Sequence, residues 1–167
     1  MASTPTVGTN EYQTCPRAVQ SAIDYAESKG VVLVAAAGNG DSAYTPVDQG
    51  RVFPTNCDGP ISVGSTGPDG DVAFYSNFGQ TLNLTAPGGD QQSGGIAGGI
   101  WSTSNDGIQS YGVPNYKYEQ GTSMAAPVVS AIIALMFSLR PAATHDEIIK
   151  AVLNSLVPFS AGSQCAT

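Results

Sequence analysis

The chain has 167 residues, of which only 11% are charged, well below the roughly 25% of ordinary soluble domains. That length allows one domain with a moderate core, or part of a larger one. With 13 acidic and 6 basic residues the formal charge is −7, which makes nucleic acid and anionic membranes poor partners.

No apolar run approaches the roughly 18 residues needed to span a bilayer. Met1-Ala2-Ser3-Thr4 has neither the basic nor the apolar segment of a signal peptide. With so few charges, the surface must be built from Gly, Ser, Thr, Asn and Gln. That composition suits an exported protein, whose signal would then lie outside this chain.

Met1 to Thr14 is polar, rich in Thr, Pro and Gly, and predicts a loop. Pro16 suits a helix N1 position, and Ala18, Val19, Ala22, Ile23 and Ala26 recur at helical spacing until Lys29-Gly30. Val31 to Ala37 follows at once as a continuous apolar run rich in β-branched residues, which predicts a strand buried on both faces. A helix running so directly into a buried strand implies a parallel α/β sheet. Gly38-Asn39-Gly40 ends that strand in a tight turn.

Asp41 to Gly59 is a polar loop, and Ile61 to Ser65 predicts a second strand. Asp69-Gly70 signals a turn, Val72 to Tyr75 a short extended segment, and Ser76-Asn77-Phe78-Gly79 another turn. Thr81 to Ala86 alternates as a third strand and stops at Pro87-Gly88-Gly89. From Asp90 to Glu119 the chain is rich in Gly, Ser, Asn and Tyr, and predicts an irregular segment broken by one strand, Ile100 to Thr103. Such a segment often forms a substrate-binding surface.

Gly121-Thr122-Ser123-Met124-Ala125-Ala126-Pro127 leads directly into the apolar run Val128 to Leu139, a helix that Arg140-Pro141 ends. Two uses fit this stretch. In one, Thr122 or Ser123 is the N-cap of a buried helix, and the alanines permit close packing. In the other, Ser123 is a nucleophile beside free backbone N–H groups and the positive end of the helix dipole, a good place to stabilise an oxyanion. Thr144-His145-Asp146-Glu147 then reads as a capping box, opening a last helix that carries Ile148, Ile149, Val152 and Leu153 on one face and ends near Ser155.

Cys15 precedes the first helix and Cys57 the second strand, so a bridge between two loops fits. Cys165 is left with a partner outside the chain or as a free terminal thiol. No CxxC or close Cys/His pair suggests a metal site.

Gly121 to Pro127 resembles the serine motif of the subtilisin-like serine proteases, the subtilases. Val34-Ala35-Ala36-Ala37-Gly38-Asn39 resembles their strand with the oxyanion-hole asparagine. Ile61 to Ser65, Phe74 to Gly79 and Leu84 to Gly88 follow the family's order. The resemblance implies an α/β fold over residues 1–167: a single domain that is part of a doubly wound, mostly parallel sheet with helices on both faces. It implies Ser123 as nucleophile and Asn39 as oxyanion donor, an interaction worth about 3 kcal/mol per donor in characterised subtilisins. It also implies a substrate-binding surface at Ala36, Ala37, Gly38 and Thr122, polypeptide substrates, and a secreted parent with disulfides. No cofactor is implied; calcium is common in the family, but the scattered carboxylates show no ligand spacing.

The family's Asp-Thr/Ser-Gly and His-Gly-Thr motifs have no counterpart here, which implies the C-terminal portion of a catalytic domain. His145, the only histidine, lies past the far end of the serine helix, about 25 Å from Ser123 at 1.5 Å per helical residue. It is expected to be a surface residue without a catalytic role. Asp41, Asp48 and Asp106 are expected in turns or solvent. The isolated chain is expected to be weak or inactive as a peptidase. Two other functions fit the same residues: an esterase-like hydrolase on activated or short-chain esters, and a noncatalytic module that self-associates or pairs with the missing N-terminal half.

Overall fold

The structure is a computed structural model that describes residues 14–41 and 43–163. Cys165 and the expected loop up to residue 13 lie outside the described residues.

Helix α1 (Arg17–Ser28) starts after Pro16, whose extended backbone occupies the N-cap position. The chain then enters β1 (Val34–Ala36), and β2 (Ile61–Thr66) and β3 (Leu84–Pro87) follow. These three strands form one parallel sheet in the order β1-β2-β3, with Val34 opposite Ile61 and Val63 opposite Leu84. β1 is shorter than the apolar run around it because β2 begins opposite Val34; the Leu33 carbonyl still accepts from the Ile61 N–H, and Val31 and Val32 lie before the ladder. Cys15 and Cys57 form a disulfide that ties the start of α1 to the loop leading into β2.

The segment expected to be irregular from Asp90 to Glu119 is more ordered than its composition suggests. It holds the short helix α2 (Gln91–Gly94), then β4 (Ile100–Asn105) and β5 (Pro114–Glu119), which pair as an antiparallel hairpin. β5 carries Tyr116 and Tyr118 at period two, and both rings pack on Trp101, with centroids 5.8 and 4.7 Å away. Cross-strand aromatic contacts of this kind stabilise a hairpin whose other side chains are mostly polar.

Helix α3 (Thr122–Leu139) packs across all three parallel strands, and α4 (His145–Asn154) packs against α3. Ile61, Val63, Leu84 and Ala86 of the sheet meet Ala125, Val129 and Ile133 of α3 and Ile148 and Val152 of α4 in one core. Cutting Ile133 to alanine removes buried methyls from the middle of it, a loss of about 2–5 kcal/mol. α4 opens with the expected capping box: Thr144 Oγ1 accepts from the Glu147 N–H while the Glu147 carboxylate accepts from the Thr144 N–H.

α3 also corrects the expectation that no segment approaches bilayer length. It is an uncharged 18-residue helix, long and apolar enough by composition alone to cross a membrane. The apolar run Val128 to Leu139 understates it because the helix also takes in Thr122 to Pro127. Its contacts here are those of a helix covering a sheet.

Candidate functional site

The end of β1, the turn after β3 and the start of α3 meet at one place. The Gly121 N–H donates to the Gly88 carbonyl at 3.0 Å, which brings the helix start against the turn that leaves β3. Gly121 has φ 151° and ψ 159°, a region that a side chain rarely adopts, and a Cβ there would lie 3.1 Å from Asn39 Nδ2. A close backbone approach is thus built into the first residue of the serine stretch.

Thr122 is buried, and its side chain turns toward β1. Its Oγ1 accepts from the Gly38 N–H at 3.0 Å and donates to Asn39 Oδ1 at 2.9 Å. Its own N–H donates to the same Asn39 oxygen at 2.9 Å. A backbone N–H can only donate, so the oxygen of the Asn39 amide must face Thr122, and the NH2 group is turned away from it. Asn39 is therefore the cap of α3, supplied from the far side of the sequence, because Gly121 has no side chain to cap it.

Ser123 follows on the exposed side of the first turn. Among the described residues neither its N–H nor its hydroxyl makes a hydrogen bond. Pro127 sits inside α3 and has no N–H to give the Ser123 carbonyl. Ser123 thus combines an open hydroxyl and an open amide at the positive end of an 18-residue helix. Beside it opens a mostly apolar cleft of about 580 Å³, walled by Met124, Pro127 and Ala131 of α3 and by Ile100 and Ser102 of the hairpin.

Of the residues expected at a substrate surface, Ala37 is fully buried, donates its N–H to the Val63 carbonyl and accepts from the Asn77 side chain. The Gly38 carbonyl accepts from the Asn77 N–H, and Ala36 lies in the ladder opposite Val63. The main-chain groups of Ala37 and Gly38 are therefore occupied within the fold.

The turn expected at Ser76 to Gly79 supplies what the sequence did not reveal. Tyr75, Ser76 and Asn77 are three consecutive buried polar residues. Tyr75 Oη lies 2.8 Å from Ser65 Oγ and donates to the Gly88 and Gly89 carbonyls, behind the start of α3. Ser76 Oγ accepts from the Ser65 N–H. Asn77 reaches the turn that holds Asn39: Nδ2 donates to the Ala37 carbonyl, and Oδ1 accepts from the Gly40 and Val47 N–H groups. Burial pushes the Tyr75 phenol up from its ordinary pKa, against the hydrogen bond with Ser65. The signal in the sequence would have been three polar residues beside apolar Ala73 and Phe74 that a surface turn does not need.

His145 is not the surface residue expected of a first-turn histidine. Its side chain is 16% exposed, with Nδ1 3.1 Å from Asp146 Oδ1. Ala143 and Ile148 on either side pack on the core and draw the first turn of α4 inward. Asp41 accepts from the Ala43 and Thr45 N–H groups, which hold its carboxyl below the usual range. Asp48 caps a short 3-10 turn. No group of three His, Cys, Asp or Glu side chains able to hold a metal occurs among the described residues.

Residues 2–163 match the model of the Subtilase family, Peptidase_S8. An extracellular protease of Xanthomonas campestris pv. campestris is 34% identical over 142 residues, which is 85% of this chain and 22% of that protein. An extracellular basic protease of Dichelobacter nodosus is 36% identical over 124 residues, 74% of this chain and 18% of that protein. Among solved structures, a protease of Pseudoalteromonas arctica superposes with a TM-score of 0.81 at 38% identity, covering 91% of this chain and 43% of the other. A cold adapted subtilisin-like serine proteinase gives 0.65 at 26% identity, covering 85% and 44%. The chain thus spans about a fifth of the length of these curated relatives and under half of the solved ones.

Proposed function

The chain belongs to the subtilase family of serine proteases, and from that premise we propose that it carries the nucleophile and the oxyanion donors of a serine endopeptidase. Its sheet and helices are part of a subtilisin-like α/β fold. The observation that carries the proposal is the double hydrogen bond from Thr122 to Asn39 Oδ1, next to a serine whose hydroxyl and N–H are both open.

In the proposed reaction the Ser123 oxygen attacks a peptide carbonyl and its proton passes to a base. The Asn39 NH2 group and the Ser123 N–H take the charge that develops on the carbonyl oxygen. The amine leaves with the proton, and water then releases the acyl group from Ser123. Ala36, Ala37, Gly38 and Thr122 form the rigid backing of the substrate surface rather than its hydrogen-bonding groups. Polypeptides are the proposed substrate, and the parent protein is proposed to be secreted, as the extracellular relatives support.

The base is proposed to come from a companion segment. His145 is held by Asp146 at the start of α4, and no other histidine exists in the sequence. Ile132, Leu135 and Leu139 form an apolar stripe on α3 that is 49, 65 and 83% exposed, and β1 has no strand on its other side among the described residues. That stripe and that open edge are the proposed seat of the segment carrying the family's Asp and His motifs, with self-association as the competing occupant. Alone, the chain is proposed to be weak or inactive toward peptides.

Fluorophosphonate labelling of the purified chain tests this, read by intact mass and peptide mapping with Ser123→Ala as control, beside turnover of a chromogenic ester and a peptide. Slow labelling confined to Ser123 is expected. Labelling that survives Ser123→Ala would sink the assignment. Brisk peptide turnover by the lone chain would remove the need for a companion.

A further inference from the structure

We propose that Asn77 is the positioning residue of the Asn39 turn, clamping the main chain on both sides of Asn39 so that its amide meets Thr122 in a single orientation. The inference rests on the reading of Asn39 as an oxyanion donor and extends it to the residue that sets where that donor stands.

Asn39 lies between Gly38 and Gly40, and a Gly-Asn-Gly turn left to itself has wide conformational freedom. A donor that acts by preorganisation needs that freedom removed. Asn77 removes it with four hydrogen bonds. Its Nδ2 donates to the Ala37 carbonyl at 2.8 Å, its Oδ1 accepts from the Gly40 and Val47 N–H groups at 2.9 Å each, and its own N–H donates to the Gly38 carbonyl at 3.0 Å. Residues 37, 38 and 40 are thus held by one side chain and its backbone. The fourth residue of the stretch, Asn39, bonds only with Thr122 among the described residues.

Every partner of the Asn77 side chain is a main-chain group of fixed sense. Reversing the amide would set its NH2 against two N–H groups and its oxygen against a carbonyl, so only one orientation is possible. The side chain is 2% exposed, which closes the site to water as a substitute partner. Gly38 is shaped to it: φ is +99°, and a Cβ there would lie 2.5 Å from Asn77 Nδ2. Asn77 and Asn39 share no hydrogen bond, so the effect runs through the backbone.

Native-state hydrogen exchange of the full chain by NMR tests the clamp without any chemistry at Ser123. In the wild type, the Gly40 and Val47 amides, held by Asn77, and the Thr122 amide, held by Asn39, are expected to share one opening constant. Asn77→Ala should speed exchange at all three by about tenfold or more while leaving the Ile61 amide, bonded to Leu33 in the sheet, unchanged. Asn39→Ala should release Thr122 and spare Gly40 and Val47, which gives the coupling its direction. A Thr122 amide that stays protected in Asn77→Ala overturns the proposal, as does equal acceleration of every amide, the mark of a merely structural residue. If Asn77→Ala does not fold, the wild type decides alone, because different opening constants for Thr122 and for Gly40 and Val47 exclude the clamp. Failed labelling of Ser123 with intact exchange coupling would instead count against the nucleophile.

Discussion

Asn39 and Thr122 are 83 residues apart in sequence and share one oxygen atom, Asn39 Oδ1, which accepts from both the N–H and the hydroxyl of Thr122. The hydroxyl accepts in turn from the Gly38 N–H, so strand end, side-chain amide and helix start form a closed ring of donors and acceptors. This ring is the physical content of a Gly-Thr-Ser stretch: glycine for the close approach, threonine for the lock, serine left outside it.

Thr122→Val keeps the volume of the side chain and removes both of its hydroxyl contacts. The Gly38 N–H then faces a methyl group in a part-buried site, an unsatisfied donor worth about 1–3 kcal/mol. Denaturant unfolding should show that loss, and Ser123 labelling should slow. Thr122→Ser retains the hydroxyl and is expected to lose less. Equal losses in the two variants would mean that packing, not the lock, is what Thr122 contributes.

Tyr75→Phe removes a hydroxyl whose partners are Ser65 and the Gly88 and Gly89 carbonyls. The neutral variant should be less stable at pH 7 by about 1–3 kcal/mol. The two proteins should also differ in alkali. Burial raises the Tyr75 pKa in the folded chain, while tyrosines of the unfolded chain titrate near pH 10. The stability tied to this proton is complete below about pH 10 and is lost as pH rises toward the folded value. The gap between wild type and Tyr75→Phe should therefore narrow above about pH 10. Unfolding midpoints that stay parallel across that range would refute it.

The parts of this fold that are legible in the sequence are those fixed by local chemistry. Pro16, the β-branched run before Gly38, the Thr144 to Glu147 box and the stop at Arg140-Pro141 each announce an element, and each is there. β5 escapes because Tyr116 and Tyr118 face a hairpin partner, Trp101, rather than a core, so their alternation lies in a stretch of loop-like composition. The Tyr75 to Asn77 strut escapes for a related reason: apart from the Tyr75–Ser65 hydroxyl pair, its long-range bonds run to main-chain groups, and no sequence spacing encodes those distances. The serine motif gives Ser123 directly, but only the structure gives the orientation of the Asn39 amide.

Reducing the Cys15–Cys57 bridge should loosen α1 from the sheet. The bond closes a loop with a sequence separation of 42 residues, for which the chain-entropy account gives about 4 kcal/mol of stabilisation. The double variant Cys15→Ala/Cys57→Ala is expected to lose most of that in denaturant unfolding. A loss below about 1 kcal/mol would show that the unfolded chain is already restrained in this region.

The capping box at α4 should make part of the stability acid-labile. Hydrogen bonds from the Thr144 N–H and hydroxyl to the Glu147 carboxylate hold its pKa below the ordinary value, helped by Arg140 and Lys150. Glu147 in the unfolded chain titrates near pH 4.3, so its contribution is fully present above about that pH and is lost as pH falls through the lower folded value. Glu147→Gln cannot titrate and should reduce the acid-side fall of the unfolding midpoint between about pH 5 and about pH 3. Asp41 is depressed by its own turn and contributes to the same fall, so the quantity to read is the difference between variant and wild type. Thr144→Ala removes the two hydroxyl bonds, to the Glu147 carboxylate and from the Glu147 N–H, keeps the bond from the backbone N–H, and should cost about 1 kcal/mol near neutral pH. If Glu147→Gln and wild type fall in parallel in acid, the box acts only as a neutral cap, and the carboxylate adds nothing to the start of α4.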